Sequence, residues 1–454
     1  MIEHLRFTNF KSWTDVDMPC ASITGVFGTN SSGKTSLLQF LLLLKQTKEA
    51  TDRALALDLN GDLVKLGTIR DAIHGHDETR KIDWRVSFGL PHELVLKNPS
   101  GGTVARGRHL TLRAGVDVHA AAPRSRSLSY TLNNWRFALA GRAGNDRDFD
   151  LSATSKPGTI VSSDFHFIRT LGRKWQLPAP IKSYAFPDQA RTYFQNASFL
   201  SDLEATYEAA LDRTFYLGPL RDYPQRDYLW ARSRPTDVGQ RGEKVIDAIL
   251  AATEAGEMRN LRAKARLWPF QQMVAYWLRE MGLINDFNVV EIAPGSNRWQ
   301  ARVRTRAGGS EVLLTDVGFG VSQVLPVVAL LQYVPEGSTV ILEQPEIHLH
   351  PLAQSGLADV IIQAATHRKV QVILESHSEH LLLRLQRRIA EGILSSDAVK
   401  LYFCDAPNGT SELTQLEVDL YGNIRNWPDR FMGDQFNETA TAELARLHRM
   451  QAAE

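Results

Sequence analysis

One stretch near the amino terminus has the residue types and the spacing of a phosphate-binding loop. It fits the pattern G-x-x-x-x-G-K-[ST] and reads Gly28-Thr29-Asn30-Ser31-Ser32-Gly33-Lys34-Thr35. Glycines allow consecutive backbone N–H groups to converge on phosphate oxygens, and the start of a following helix adds the positive end of its dipole. In such a loop Lys34 reaches the β- and γ-phosphates, and the Thr35 hydroxyl binds Mg²⁺. The stretch therefore predicts a site for a nucleoside triphosphate with Mg²⁺.

The segments on either side of this loop have the character that such a loop requires. Residues 22–27 predict a short buried strand, and residues 36–44 predict a buried helix. A strand, a glycine loop and a helix in that order form the structural context of a phosphate-binding loop. These flanks argue against the alternative, which is a chance glycine turn in front of a helix.

A second set of polar residues follows two predicted strands in the carboxyl-terminal half. Glu343 ends a buried strand over residues 339–342, and His377 comes shortly after a strand over residues 370–374. A carboxylate at the carboxyl edge of a buried strand suits a Mg²⁺-associated site. A histidine after the next strand indicates a sensor of the γ-phosphate.

Two neighbouring stretches have alternative interpretations. A metal site built from Glu346, His348 and His350 is one alternative, but the run lacks an open three-ligand pattern of known spacing. Upstream, residues 316–323 carry glycines and a serine where a helix is expected to start near Ser322, which predicts a second backbone anion site. An ordinary capped helix explains the same residues when they are taken alone.

The elements that must position these residues divide the chain into regions of different character. Residues 82–88, 109–118, 128–139 and 159–167 alternate like half-buried strands and predict a mostly antiparallel β lobe inserted after the first helix. Strands and helices alternate from residue 286 onward, which predicts a doubly wound, mostly parallel sheet. The predicted regions are a first nucleotide-binding part (1–80), the β-rich lobe (81–185), a helical subdomain (186–285), a second nucleotide-binding part (286–405) and a tail (406–454).

Basic residues are spread over the predicted lobe and the helical region. The lobe has many arginines, which form either a solvated sheet face or a nucleic-acid surface. The solvated face is favoured because aspartates occur near these arginines in the sequence. These arginines are Arg106, Arg108, Arg113, Arg124, Arg126 and Arg136. Residues 259–268 mix basic and aromatic side chains, and we interpret them as a basic helix face.

Composition limits the classes of protein that the chain can belong to. The formal net charge is +1, so no global basic field draws the chain to nucleic acid. Cys20 and Cys404 are far apart, which suits a reducing cytoplasm rather than a disulfide framework. The first residues do not resemble a signal peptide, and the longest apolar run is too short to span a bilayer. We therefore expect a cytoplasmic protein without a membrane segment.

The motifs, in this order, resemble the ATPase head of the RecF, SMC and OLD group of ABC-type ATPases. Residues 9–12 resemble the first turn of that group, and residues 28–35 match its Walker A motif. Residues 318–323 resemble its signature motif, residues 339–346 resemble Walker B, residues 347–351 stand where its D-loop would be, and His377 matches its switch histidine. Within the group the chain is most similar to stand-alone ATPases of bacterial anti-phage systems, by the run of residues 343–351 and the Trp427-Pro428 tail.

This resemblance implies a fold, a ligand and an assembly. It implies an α/β ABC-type ATPase head that hydrolyses ATP with Mg²⁺ and forms a homodimer around ATP, in which Gly320 and Ser322 of one subunit complete the site built on Lys34 of the other. Thr35 and Glu343 are the implied metal ligands, and Glu343, Gln344, Glu346 and His377 the implied catalytic residues. The implied nucleotide-binding residues are Gly28, Thr29, Asn30, Ser31, Ser32, Gly33, Lys34, Thr35, Ser36, Gly320 and Ser322.

The chain departs from the pattern of the group in two respects. The group usually has a second carboxylate after Walker B, but this chain has Gln344, which can orient a water molecule without accepting its proton. Glu346 is the candidate to substitute, and we expect slow turnover. OLD-type relatives often carry a Toprim nuclease domain, whereas the residues after His377 lack an acidic Asp-x-Asp constellation. The chain also lacks the long heptad pattern of an SMC arm.

Two functions from different classes remain open at this point. The first is an ATP-gated module that controls a separate effector, a nuclease or toxin, in anti-phage defence. The second is a DNA-binding ATPase of the RecF or SMC type that acts in DNA repair or maintenance. The missing nuclease domain and Gln344 favour the first function, and a broad, salt-sensitive affinity for DNA would favour the second.

Overall fold

The structure is a computed structural model that describes residues 1–99, 101–142, 145–155, 165–172, 176–262, 264–428, 441–446 and 449–450. The strands are β1 (Ile2–Phe10), β2 (Trp13–Pro19), β3 (Ile23–Gly28), β4 (Ile82–Lys97), β5 (Thr103–His119), β6 (Ala122–Leu132), β7 (Trp135–Arg142), β8 (Asn145–Ser155), β9 (Thr214–Leu217), β10 (Tyr228–Leu229), β11 (Met258–Arg259), β12 (Trp268–Pro269), β13 (Asp286–Glu291), β14 (Arg298–Arg304), β15 (Val312–Leu313), β16 (Thr339–Glu343), β17 (Gln371–Glu375), β18 (Val399–Asp405) and β19 (Glu412–Leu416). The helices are α1 (Lys34–Glu49), α2 (Ile69–Ala72), α3 (Asp188–Tyr193), α4 (Leu200–Asp212), α5 (Val245–Glu254), α6 (Phe270–Glu280), α7 (Phe319–Tyr333), α8 (Pro351–His367) and α9 (Glu379–Ala390).

A six-stranded sheet, in the order β19-β18-β3-β17-β16-β9, carries the residues that the motifs identify. The pairs β18–β3, β3–β17, β17–β16 and β16–β9 are all parallel, and only the edge pair β18–β19 within this sheet is antiparallel. Alternate residues of one strand face opposite sides: Val340 and Leu342 pack into a core with α7 and α8, while Ile341 packs into a core with α1. This doubly wound sheet confirms the predicted fold class and brings the carboxyl ends of β3, β17 and β16 to one edge.

The strands of the predicted lobe belong to a second, antiparallel sheet of seven strands in the order β2-β1-β4-β5-β6-β7-β8. Because β1 pairs with β4, the lobe shares its sheet with the amino-terminal hairpin. Helix α1 packs against this sheet, where Phe40 stacks on Phe7 with ring centroids 4.3 Å apart. The helix that follows the phosphate-binding loop thus lies between the two sheets.

Several predicted elements differ from the observed ones. Residues 128–139, predicted as one strand, form parts of β6 and β7, which are joined at Asn133 with a positive φ of 53°. In the predicted strand 159–167, residues 159–164 lie outside the described residues and residues 165–167 are not a strand. The predicted basic helix face over 259–268 is wrong, since its described residues contain only the ends of the short β11–β12 pair. These two elements were missed because a turn at one asparagine and a two-residue strand pair leave a weaker signal in the sequence than the hydrophobic periodicity of a long helix or strand.

The two faces of the six-stranded sheet are covered by different elements: α2, α3 and α4 pack in the core with α1, and α5 to α9 pack in the core on the opposite face. Helices α5, α6 and α7 share a buried apolar core, and β13, β14, β10 and β15 form a small sheet beside it. No helix of the described residues combines the length and the apolar character that crossing a membrane would need.

Candidate functional site

The phosphate-binding loop has a backbone that only glycine tolerates at two positions. Gly28 ends β3 with φ at 147°, and a Cβ added there would lie 2.0 Å from the carbonyl oxygen of Cys404. Gly33 caps α1 with φ at 92°, and a Cβ there would lie 2.4 Å from Oγ of Ser411. The neighbouring strand and the chain after β18 therefore press against the loop, and the glycines of the motif are needed for this close approach.

The side chain of Lys34 folds back over the loop. Its Nζ donates hydrogen bonds to the carbonyl oxygens of Gly28, at 3.2 Å, and Thr29, at 2.5 Å. Burial lowers the pKa of this ammonium, while the neighbouring carboxylate of Glu375 acts in the opposite direction. The ammonium thus contacts two carbonyl oxygens of the loop, and a bound phosphate can take over these contacts.

A cavity of about 420 Å³ opens over this loop. Three polar side chains from the sheet edge line it, and the turn between β1 and β2 closes one side. Neither Glu343 nor Glu346 is among the described residues that line it. The lining residues are Lys11, Ser12, Asn30, Ser31, Ser32, Gly33, Lys34, Thr35, Ser36, Gln344, Glu375 and His377.

Glu343 ends β16 but turns away from the cavity. The hydroxyl of Tyr216 on β9 donates to its Oε1 at 3.1 Å. Burial, together with the nearby Glu375 carboxylate, raises the pKa of Glu343 to about 7. Arg221, which is itself buried, lies close to the Glu343 backbone, with Nη2 3.5 Å from the carbonyl oxygen. Glu343 is thus held on the side of β9, away from the phosphate-binding loop.

Gln344 and Glu375 face the loop instead. Gln344 has a positive φ of 43°, and its backbone N–H donates to the carbonyl oxygen of Glu375 at 2.9 Å. Burial raises the pKa of Glu375, and the Thr35 hydroxyl, the Lys34 ammonium and the Gln344 side chain lower it. A carboxylate that sequence reasoning had not selected therefore lies between Walker A and the Walker B loop.

Glu346 supports the loop that carries His377. Its Oε1 accepts a hydrogen bond from the backbone N–H of His377 at 2.7 Å, and burial raises the pKa of Glu346. The His377 side chain is exposed at the cavity, and its pKa is lowered by burial and by Lys34. The geometry gives Glu346 a role in positioning, and its predicted role as a base stays a prediction.

The residues of the signature-like stretch lie on another part of the structure. Helix α7 begins at Phe319, three residues before the predicted start, so Ser322 lies within its first turns. The Ser322 hydroxyl is buried and donates to the carbonyl oxygen of Phe319 at 2.8 Å. A Cβ on Gly320 would lie 3.2 Å from the carbonyl oxygen of His348. Gly320 and Ser322 do not line the cavity over Lys34, and their predicted role across a dimer interface stays a prediction.

Sequence reasoning missed three lining residues, Lys11, Ser12 and Glu375. Lys11 and Ser12 belong to the turn that resembled the group, so a signal for them existed. Glu375 ends β17 just before the histidine that was selected, as Glu343 ends β16. The rule that a carboxylate at the end of a buried parallel strand marks a site would have found it. The metal alternative from Glu346, His348 and His350 has no support, since the described residues contain no cluster of three or more His, Cys, Asp or Glu suited to a metal.

Comparison with protein families identifies the chain. A family described as "AAA domain, putative AbiEii toxin, Type IV TA system" matches residues 23–384, which span the phosphate-binding loop, Walker B and His377. The chain belongs to this AAA domain family. A second family, described as a protein of unknown function (DUF3696), matches residues 394–441. The family match confirms the resemblance to RecF- and SMC-like ATPases of the ABC type. A comparison with curated proteins gave no match.

Solved structures of SMC heads are similar to this chain at low identity. One is an SMC head bound to the C-winged helix domain of ScpA, with 12% identity, coverage of 92% of this chain and 98% of that chain, and a TM-score of 0.45. Another is the SMC head domain from Thermotoga maritima, with 10% identity, coverage of 92% and 99%, and a TM-score of 0.41. A third, from Pyrococcus furiosus, has 11% identity, coverage of 98% and 99%, and a TM-score of 0.43.

The residues around the cavity fit a nucleotide with Mg²⁺. Backbone N–H groups at the start of α1, the Lys34 ammonium and the Thr35 hydroxyl are the donors that phosphates and a hard cation require. In addition, Oε2 of Glu375 is buried and has no hydrogen-bond partner within the described part of the chain. Buried carboxylate oxygens are normally paired; Oε2 of Glu346 is also unpaired in the described residues, but of these two glutamates only Glu375 lines the cavity.

Proposed function

We propose that this protein is an ATPase head that binds ATP with Mg²⁺, pairs with a second copy around the nucleotide and controls a separate effector in anti-phage defence. The observation that carries the proposal is the cavity over the Walker A loop, in which Lys34, Thr35, Gln344, Glu375 and His377 converge. The family membership supports nucleotide use, and the family description, with its reference to a toxin system, supports a role in defence.

The chemistry follows from the side chains around this cavity. Lys34 and the loop N–H groups hold the β- and γ-phosphates, and Thr35 is a metal ligand. Mg²⁺, when bound, neutralises charge that develops on the phosphate oxygens. Gln344 orients the attacking water, and His377 lies where it can contact the γ-phosphate. Because Gln344 cannot accept a proton, hydrolysis is slow, which suits a protein whose ATP-bound state is the signalling state.

Pairing of two heads is supported by an apolar patch at the start of α7. Tyr223 is 77% exposed and its ring lies 5.6 Å from that of Phe319, which is 39% exposed. Leu220 is exposed in the same loop as Tyr223. Large exposed side chains of this kind, beside a helix start with free N–H groups, suit contact with the nucleotide-bearing face of a second copy.

A separate effector is supported by the chemistry that the described residues lack. Metal-dependent nucleases need clustered carboxylates or histidines, and no such cluster occurs among the described residues. The head therefore carries out the nucleotide-dependent step, and a separate nuclease or toxin in the cytoplasm carries out the toxic reaction.

Binding of a labelled ATP analogue to the wild type and to Lys34→Ala tests the proposal. The mutation removes the compact cation at the phosphates, so affinity should fall by at least two orders of magnitude, as the roughly 3 kcal/mol lost with a charge-assisted contact predicts. Lys45→Ala is the matched control, because Lys45 lies on the same helix and pairs with Glu49. Wild-type affinity in Lys34→Ala would contradict the nucleotide site.

A row of arginines on the seven-stranded sheet favours nucleic acid as a second candidate ligand. Arg6 lies opposite Arg85 on β4, and Arg85 lies opposite Arg113 on β5. Directly opposed like charges destabilise a sheet. Arg113 and Arg136 have no acidic partner among the described residues, and burial together with the other arginines lowers the pKa of Arg113. The four arginines line one cavity of about 420 Å³ together with Asp83, and Arg6 also pairs with Asp15 and Asp17.

The arginines of the β lobe therefore fall into two groups, and only one of these groups matches the predicted solvated face. Arg124 pairs with Asp117, and Arg126 pairs with Asp83, as a solvated face requires. Fluorescent duplex DNA titrated over a range of salt concentrations tests the remaining arginines. If the row binds phosphates, Arg113→Gln should lower the salt-dependence slope by about 0.9 per lost contact. Arg106→Gln is the control on the same strand. No affinity in the wild type would remove this candidate.

A further inference from the structure

Two glutamates occupy matching positions on neighbouring strands, but they face different partners. Glu343 ends β16 and Glu375 ends β17, and the two are aligned in the parallel register. The Glu343 carboxylate accepts from Tyr216 on β9, the strand that flanks β16 on the side away from β17 and β3. Strand β17 lies directly beside β3, which leads into the phosphate-binding loop. Glu375 is therefore one strand closer to Thr35 than Glu343 is.

The Glu375 carboxylate is buried beside the phosphate-binding loop. The side chain is only 2% exposed, and its Oε2 is buried without a hydrogen-bond partner in the described residues. The Thr35 hydroxyl, the Lys34 ammonium and the Gln344 side chain are its polar neighbours. An unpaired carboxylate oxygen is costly in a protein interior, and it is retained where a cation or a bound ligand completes its coordination. The neighbouring Thr35 hydroxyl is of the type that binds Mg²⁺ in a phosphate-binding loop.

We propose that Glu375, rather than Glu343, is the carboxylate that holds Mg²⁺ beside Thr35, directly or through a water molecule. The inference rests on the proposed nucleotide site and goes beyond it, because the Walker B pattern assigns this role to Glu343. Mg²⁺ is usually bound by one or two protein oxygens together with phosphates and water. The Thr35 hydroxyl at the start of α1 and the Glu375 carboxylate at the end of β17 supply such a pair, whereas the Glu343 carboxylate is hydrogen-bonded to Tyr216 on β9.

The experiment measures the affinity of a fluorescent ATP analogue with Mg²⁺ and with EDTA. In Glu375→Gln, we expect the gain in affinity that Mg²⁺ gives the wild type to fall by about 10-fold to 100-fold, as loss of a group that supports a metal does. Affinity in EDTA should be retained, which also shows that the variant is folded. Glu343→Gln is the matched control, because it changes the same functional group one strand away and should keep the Mg²⁺ effect.

A direct readout uses Mn²⁺ in place of Mg²⁺. Electron paramagnetic resonance of the Mn²⁺–ATP complex should detect protein-bound Mn²⁺ in the wild type, in Glu343→Gln and, in part, in Glu375→Asp, which restores a shorter carboxylate. Bound Mn²⁺ should be lost in Glu375→Gln. The assignment is overturned if Glu375→Gln keeps the metal, or if Glu343→Gln loses it to the same extent. Equal affinity of the wild type and Lys34→Ala for the analogue with Mg²⁺ would instead count against the nucleotide site itself.

Discussion

At the scale of single residues, the most informative group is the set of buried carboxylates at the sheet edge. Glu343, Glu346 and Glu375 are all buried, and burial raises the pKa of each. They have different partners, however: Tyr216 for Glu343, the His377 backbone for Glu346, and the phosphate-binding loop for Glu375. Environment rather than sequence position therefore assigns their roles, and two predictions follow at this scale.

The first prediction concerns Glu346 as a positioning residue. Glu346→Gln should change turnover by less than about 3-fold, because a side-chain amide oxygen can still accept from the His377 N–H at the observed 2.7 Å. Glu346→Ala should lower turnover by more than about 10-fold, since removing a buried acceptor costs roughly 1–3 kcal/mol and frees the loop. Steady-state phosphate release measures both variants. A fall of about 10²-fold in Glu346→Gln would identify a general base instead.

The second prediction concerns pH. The folded-state pKa of Glu343 is about 7, raised from 4.5, so the folded protein binds the proton more tightly than the unfolded chain does. The stabilisation from this group is complete below the unfolded pKa and is lost as pH rises toward 7. In EDTA without nucleotide, Glu343→Gln should therefore be more stable than the wild type at pH 8, by about 3 kcal/mol, and similar to it at pH 4.5. Denaturant unfolding at the two pH values measures the difference, and equal shifts at both would contradict this account.

At the scale of elements, the phosphate-binding loop depends on its contact with β18. Gly28→Ala should abolish ATP binding and destabilise the fold by more than about 2 kcal/mol, because the new Cβ would meet backbone of Cys404, which cannot move aside. Gly75→Ala is the matched control: its φ is also positive, at 67°, but no atom lies within 4 Å of the added Cβ. Measuring ATP binding and thermal unfolding for both variants separates the effect of the clash with Cys404 from the effect of a non-glycine residue at a positive φ. Equal effects would mean that the approach of β18 is unimportant.

At the scale of the whole molecule, the prediction concerns pairing of two heads through the start of α7. Phe319→Arg should leave ATP binding by the monomer nearly unchanged, because Phe319 does not line the cavity, but should prevent dimerisation induced by a slowly hydrolysed ATP analogue. Light scattering with and without the analogue measures this. The exposed Leu171, replaced by arginine, is the control. Ser322→Arg is a poorer test, since the buried Ser322 would disrupt α7 itself. Dimers formed by Phe319→Arg would exclude this interface.

The sequence alone determined the parts of the site that are contiguous in the chain. The order of strand, glycine loop and helix around Gly28 and Lys34 was readable because hydrophobic period and glycine spacing are local properties. The amphipathic pattern of α9 (Glu379–Ala390) is local in the same sense, because its apolar residues recur at helical spacing within one element. The alternation of strands and helices after residue 286 was likewise sufficient for the doubly wound class.

Only the tertiary structure decided which side chains share the cavity. Strand β17 lies between β3 and β16 in space, although β3 is far from both of them in the chain. This order brings Glu375 to Thr35 and leaves Glu343 to Tyr216, and no local pattern encodes it. The joining of the lobe to the amino-terminal hairpin, and the row formed by Arg6, Arg85 and Arg113, depend in the same way on strand pairing. Pairing is fixed by the packing of whole faces against a core, so side chains meet across a sheet for reasons that lie outside their own segment.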